Sequence, residues 1–444
     1  MNFRRFPIAA FGLCLLTAAC DTDSLLEVDD PDVALPAALR DTTNLRAVRG
    51  FGVGDFAVAY GGASTTEGLV AITGIMSDEL FHSGTFQANR QMDKREIPET
   101  NGGVTTVFRA LHRARRATEI ASETFKSARG NVAETAEQQN LNAFTYVFLA
   151  ENWCSGVPFS RDVNGVFTYG GPMTTVEILA EAGTRFDAAL ATATAATSTA
   201  QQHLAQVGKA RVLLNQERFA DAAAAVASVP TNFVYVVEHS ENTTRQNNGL
   251  FGITQTRREY GIADREGGNG LNFRLTPADP RVPWTRDVAA ADAAIRQYTP
   301  RKYNTRGSSI PLASGIEARL VEAEAALAKG ASANYLPIIN TLRASLSLAP
   351  LTDPGSASAR VNQFFTERAF WLYGQASRLS DMRRLVRQYG RAQNTVFPTG
   401  NYTREGMDGT IRPDAAPYGS DVNFPIPFDE VNNPESARCL DRNA

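Results

Sequence analysis

The residues with the clearest chemical signature are the cysteines, four in all. Residues 14–20 read Cys-Leu-Leu-Thr-Ala-Ala-Cys, preceded by Arg4 and Arg5 and a short apolar run from Phe6 to Leu16. This is a secretion leader, residues 1–19, too short to persist as a membrane span. A thiol directly after Thr17-Ala18-Ala19 is the pattern of a bacterial lipobox, in which Cys20 is acylated and becomes the first residue of a lipid-anchored chain. The alternative is an ordinary cleaved leader with a coincidental cysteine. Cys14 leaves with the leader, so Cys154 and Cys439 remain. Two cysteines in an exported protein point to one disulfide, which in the chain-entropy model is worth about 5 kcal/mol for a loop of that length. Two separate buried thiols are the other reading.

The rest of the chain offers little for catalysis. His82, His112, His203 and His239 are scattered and form neither HExxH nor a metal-spaced pair. There is no Gly-x-Ser-x-Gly elbow, P-loop or GxGxxG. No catalytic residue, metal or cofactor is assigned. Cys154, before Ser155-Gly156, is read as a disulfide partner or packed thiol rather than a nucleophile. Carboxylates for glycoside cleavage would come from distant loops. Asp78, Glu79 and Asp279 are the first suspects, against the plainer reading that they cap helices and loops or pair with cations. Arg281, Arg286, Arg383 and Arg384 are read in the same way, as partners of carboxylates such as Asp381 and Glu367.

Composition bounds the partners. Charged residues make up 20% and hydrophobic ones 43%, a globular balance. Loss of Arg4 and Arg5 takes the net charge from −3 to −5, which gives no electrostatic footprint for nucleic acid. Residues 20–43 form an acidic tether with Asp21, Asp23, Glu27, Asp29, Asp30 and Asp32 and with Pro31 and Pro36, expected to be extended.

From residue 44 to 444 helical patterns dominate. Val107, Phe108, Leu111, Ala114, Ala117 and Ile120 share one helical face, with Arg109, Arg113, Arg116 and Glu119 largely opposite. Leu141–Trp153 is apolar nearly all round and reads as a central helix. Thr175–Ala195 reads as a helix with Ile178, Leu179, Ala182, Phe186 and Leu190 inward, and the Ala/Thr-rich stretch 192–202 as a frayed connection. Helical hairpins follow at Gly208–Pro230, turning at Asn215–Glu217, and at Ile316–Ala344, turning at Gly330. Their small-residue helix, tight turn and aromatic before an alanine resemble tetratricopeptide units. Phe233–Val237 is the best strand candidate.

Residues 232–311 are rich in Gly, Asn, Arg and Pro and too long for an idle connection; they read as an irregular insertion. Residues 395–444 are a second loop-rich segment. Sugar rings need flat apolar platforms with polar groups at the rim. The insertion supplies Phe251, Tyr260 and Trp284 as candidate ligand-binding residues, with Asn247, Asn248, Arg257 and Asn269 nearby.

Taken in order, several blocks resemble the RagB/SusD family of outer-membrane nutrient-binding lipoproteins: Ser77-Asp78-Glu79-Leu80, the helix from Val107, the helix ending at Gly156-Val157-Pro158, and Asp279-Pro280-Arg281. Glu367-Arg368, Gly374, Arg378 and Asp381-Met382-Arg383-Arg384 follow, then Phe424-Pro425-Ile426-Pro427 with Glu430, Asn433 and Pro434. The resemblance implies an all-α fold of tetratricopeptide-like hairpins with a loop-rich lobe packed on them. It implies a surface-exposed outer-membrane lipoprotein that does no covalent chemistry. Such a protein captures oligosaccharide, or peptide, for a partner SusC-like TonB-dependent β-barrel. A helical-repeat scaffold that assembles envelope proteins is the reading from a different class, and a secreted helical glycoside hydrolase is the third.

Overall fold

The computed structural model describes residues 36–163 and 166–444. The leader, Cys20 and the tether as far as residue 35 lie outside the described residues. The end of the tether departs from the extended form expected of it: Pro36–Leu39 is a short helix, Leu39 is buried against Ala117 and Ile120, and its carbonyl accepts from the Thr124 hydroxyl at 2.8 Å.

The scaffold is a succession of helices, most of them packed on the next: α1 (Leu45–Gly61), α2 (Leu69–Met76), α3 (Gln87–Asp93), α4 (Gly102–Arg129), α5 (Ala133–Asn152), α6 (Thr175–Ala195), α7 (Thr199–Asn215) and α8 (Phe219–Val226), then α9 (Gly315–Leu327), α10 (Leu336–Ala344), α11 (Ala357–Trp371) and α12 (Arg378–Arg387). Local chemistry sets the ends. Asn101 caps α4 by accepting from Val104 N at 3.1 Å. Thr174 and Glu177 form a reciprocal capping box on α6. Asn215 ends α7 and Glu217 takes a left-handed φ of 60° in the turn to α8. The stretch expected to be frayed is a tight break at 196–198, after which α7 begins at Thr199. α5 is buried on nearly every face and forms the centre, packed on α4, α6 and α7. Helices α6 and α7 approach so closely that a Cβ on Gly208 would lie 2.2 Å from the Phe186 ring.

The insertion leaves the helices through a ladder. β6 (Val234–Val237) pairs antiparallel with β10 (Ile310–Ser314), closing its neck. Inside it, β7 (Tyr260–Ile262) pairs with β1 (Leu80–His82), and β8 (Trp284–Ala289) pairs with β9 (Arg296–Pro300). Two further ribbons, β2 (Val157–Pro158) with β5 (Pro172–Met173) and β3 (Arg161–Val163) with β4 (Val166–Thr168), follow α5. The C-terminal segment contributes β11 (Asn401–Glu405) with β12 (Ile411–Pro417). Among the described residues every sheet is two-stranded, so the fold is helical with short ribbons. One hydrophobic core runs from Phe56 through the helices into the lobe and on to Phe424. The C-terminal tail returns to the end of α5: Leu440 N donates to Ser155 O at 2.8 Å, and Cys154 and Cys439 are disulfide-bonded with their Cα atoms 5.6 Å apart. No helix among the described residues is long and apolar enough to cross a membrane.

Candidate functional site

The acidic and arginine blocks spread along the sequence meet inside the molecule. Arg378 grips Asp78 with two bonds of 2.6 and 2.8 Å, and Leu271 N donates to the same carboxylate at 2.7 Å. Asp279 is held by Arg281 at 2.7 Å, and Arg281 reaches on to Glu367 at 2.7 Å, which Arg343 also contacts. Arg368 pairs with Asp381 at 2.8 Å, and Arg384 joins Asp381 to Glu324. These charged groups are all buried except Arg343, which is part-buried. A buried charge needs a partner, and here each has one. Glu79 is also wholly buried, which pushes its carboxyl up to about 8; Gly374 N donates to it at 3.1 Å. The cavity beside it, shared with Phe251, Lys302 and Tyr303, amounts to about 10 Å³, room for about one water and no sugar. Asp78, Glu79 and Asp279 are therefore structural acids. Among the described residues no cluster of His, Cys, Asp and Glu is arranged for a metal.

The three aromatic residues read from the insertion do not converge. Tyr260 is fully buried in β7, edge-on to His82 at 6.2 Å, and offers no face to a ligand, because its strand pairs with β1 deep in the lobe. Phe251 sits in the short helix 249–251 and lines the small cavity next to Glu79. The asparagines near them bond the chain itself: Asn247 to Ser240 O and Thr243 O, Asn248 to Ser308 O, Asn269 to Phe397 O. Phe251 and Trp284 are both part-buried; Phe251 lines the small internal cavity, whereas Trp284 lies on the β8–β9 ribbon.

Around Trp284 the ribbon β8–β9 builds a platform. The register Trp284↔Pro300 and Arg286↔Tyr298 puts these side chains on one face by the two-residue period of a strand. Gln297, on the opposite side, is buried and ties the ribbon to Thr254 O and Tyr260 O at 3.1 and 3.0 Å. The Trp284 indole donates to Leu275 O at 3.1 Å and meets Tyr298 edge-on at 5.9 Å. The Arg274 guanidinium lies 3.9 Å from the Tyr298 ring centroid. Glu405, from β11, accepts from the Tyr298 hydroxyl at 2.7 Å, and Arg274, Arg286 and Arg296 stand 3.8, 3.9 and 3.5 Å from it. Burial, then the Glu405 bond, raises the Tyr298 hydroxyl above its ordinary range, so it stays protonated as a donor. An indole beside an arginine–aromatic stack, with guanidinium donors and one carboxylate acceptor, is suited to stacking on a sugar ring and bonding its hydroxyls. Arg274, Tyr298 and Glu405 were not singled out as a site because their meeting depends on a contact between the insertion and a strand far downstream.

No protein-family model and no curated protein matches the sequence. Solved structures do. A SusD superfamily protein of Bacteroides vulgatus superposes with a TM-score of 0.62 over 90% of this chain and 99% of its own, at 14% identity. Surface glycan-binding protein A of Bacteroides uniformis gives 0.60 over the same shares at 13% identity. A laminarin-binding SusD-like protein gives 0.58, again over 90% and 99%, at 15% identity. Identity this low establishes the architecture and nothing finer: the chain has the SusD-like fold.

Proposed function

We propose that this protein is a non-catalytic glycan-binding protein of the bacterial surface, with the β8–β9 platform as its ligand site and Trp284 as the ring that stacks on sugar. The observation that carries the reading is the part-buried indole set beside the Arg274–Tyr298 stack and Glu405 on a SusD-like scaffold. Two of the structural neighbours bear names that describe glycan or laminarin binding, which supports the same ligand class here. The commitment of Asp78, Glu79 and Asp279 to internal contacts argues against hydrolysis. The lipobox at Cys20 supports a lipid anchor in the outer membrane with the protein outside, and the fold supports delivery of oligosaccharide to a SusC-like TonB-dependent barrel.

Two measurements test this. Affinity electrophoresis of the purified protein in gels containing soluble polysaccharides should show retardation by at least one of them, with no reducing ends released on long incubation. A mild-detergent pull-down from the native envelope should bring down a large TonB-dependent barrel in stoichiometric amount. Recovery of assorted envelope proteins without a barrel would favour the scaffold reading, and turnover of the glycan would favour the hydrolase.

A further inference from the structure

We propose a second carbohydrate site, for a neutral oligosaccharide, in the cleft between α4, the β3–β4 ribbon and the C-terminal turn at residues 429–433. The inference rests on the reading that the protein binds glycans, and it concerns a different part of the molecule: the cleft shares no residue with the platform around Trp284.

The cleft holds about 640 Å³, within the range of ligand pockets. Its rim carries Phe167 and Tyr169, which are 60% and 46% exposed and touch edge-to-face at 5.0 Å. Two large rings set side by side in water, with no apolar cover, make a stacking surface for the ring face of a sugar. The α4 wall contributes polar groups that the protein does not satisfy. His112 is packed between Phe108 at 4.6 Å and Phe159 at 5.5 Å, and its Nε2 has no hydrogen-bond partner. Arg115, with 2% of its side chain exposed, spends one nitrogen on Ser160 O at 2.6 Å and leaves its Nε without a partner. Both residues line the cleft. Neither nitrogen is open to solvent, so a ligand would meet this wall through its rings and through the exposed polar groups of the cleft.

Charge decides the ligand class. Four arginines, Arg113, Arg115, Arg116 and Arg161, and three carboxylates, Asp55, Asp429 and Glu430, line the cleft, with Arg113 3.6 Å from Asp55, so the two signs nearly balance. An anionic sugar would meet those carboxylates, and a cation would meet the arginines. A neutral polyol finds donors and acceptors alternating around aromatic rings, which is what hydroxyl groups require.

The test is isothermal titration of the lipidated, detergent-solubilised full chain with maltoheptaose, laminariheptaose, xylohexaose and mannohexaose. The proteins compared are wild type, F167A/Y169A and W284A. All three substituted side chains are at least partly at the surface, and unchanged melting temperatures check the fold. Two equivalents of one sugar should bind the wild type. F167A/Y169A should weaken one of them at least tenfold and leave the other, and W284A should do the reverse. Loss of all binding in F167A/Y169A with none lost in W284A would keep the cleft and overturn the platform. A single equivalent, abolished by W284A and untouched by F167A/Y169A, would overturn the cleft and leave the platform standing. No binding of any of the four sugars would overturn both.

Discussion

Asp78→Asn should destabilise the protein strongly without touching a binding surface. In the wild type the Asp78 and Arg378 side chains are 0% and 6% exposed and share two bonds of 2.6 and 2.8 Å. Neutralising the carboxylate leaves the guanidinium buried with its nearest counter-charge gone. Removing one member of a buried pair costs about 3–5 kcal/mol. For a chain of this length, about 4 kcal/mol corresponds to a fall in Tm of about 5 °C. Arg378→Met should cost a similar amount, since it strands the carboxylate instead. The double variant replaces a pair by two neutral groups and should lose far less than the sum, giving a coupling energy of about 3 kcal/mol. Urea unfolding followed by far-UV circular dichroism, completed as a double-mutant cycle, measures this. Singles within about 1 kcal/mol of wild type, or singles that simply add, would refute the claim that the acidic block near residue 78 exists to lock the late helices onto the early ones.

Three further outcomes follow from the same structure. Cys439→Ser removes a link that closes a separation of 285 residues, so the tail beyond Asn433 should become the first site of limited proteolysis; a tail that stays protected would show that its other contacts hold it. Burial raises Glu79 to about 8 and also raises Asp93 and Glu266. The folded state then holds protons that the unfolded chain releases, and stability should fall as pH rises from 6.5 to 8. The buried neutral histidines His82, His112 and His239 oppose this trend only at the foot of the window, where unfolded imidazoles finish losing their protons, and Lys302, lowered to about 8, opposes it at the top; the raised carboxyls outweigh both between them. Glu79→Gln should flatten the slope, and a Tm that climbs across the window would contradict the assignment. Finally, Arg281→Ala should destabilise by about 3 kcal/mol or more, because Asp279 and Glu367 lose their shared cation; a change under about 1 kcal/mol would count against that network.

Helices were legible where local chemistry sets them. Thr175–Ala195 could be read with its true ends because the capping box at Thr174 and Glu177 and the inward stripe from Ile178 to Phe186 agree. The Val107–Ile120 stripe lies within a longer helix, Gly102–Arg129, whose start is fixed by the Asn101 cap. The lobe was legible only as a departure from helix. Its ribbons are set by pairing between distant segments, β7 with β1 and the β8–β9 turn with β11–β12 through the Ile295↔Gly406 bridge, and a glycine-rich sequence carries no local sign of such partners. For that reason Tyr260 looked like a surface ring and is a core one. Trp284 was recognised, while the Arg274, Tyr298 and Glu405 groups around it depend on where β11 docks. The acidic and arginine blocks were visible as motifs, and their mutual pairing became visible only in three dimensions.

The central claim, that glycan stacks on Trp284, has a direct optical test. The chain has three tryptophans; Trp153 and Trp371 are buried in the core, and Trp284 alone is partly exposed. Titration of the full-length protein with the oligosaccharide that retards it in affinity gels, read by tryptophan emission, should give a saturable blue shift. Trp284→Phe should abolish that shift and weaken binding at least tenfold by calorimetry. Calorimetric binding with unchanged emission, or a Trp284→Phe protein that binds as the wild type does, would contradict the account.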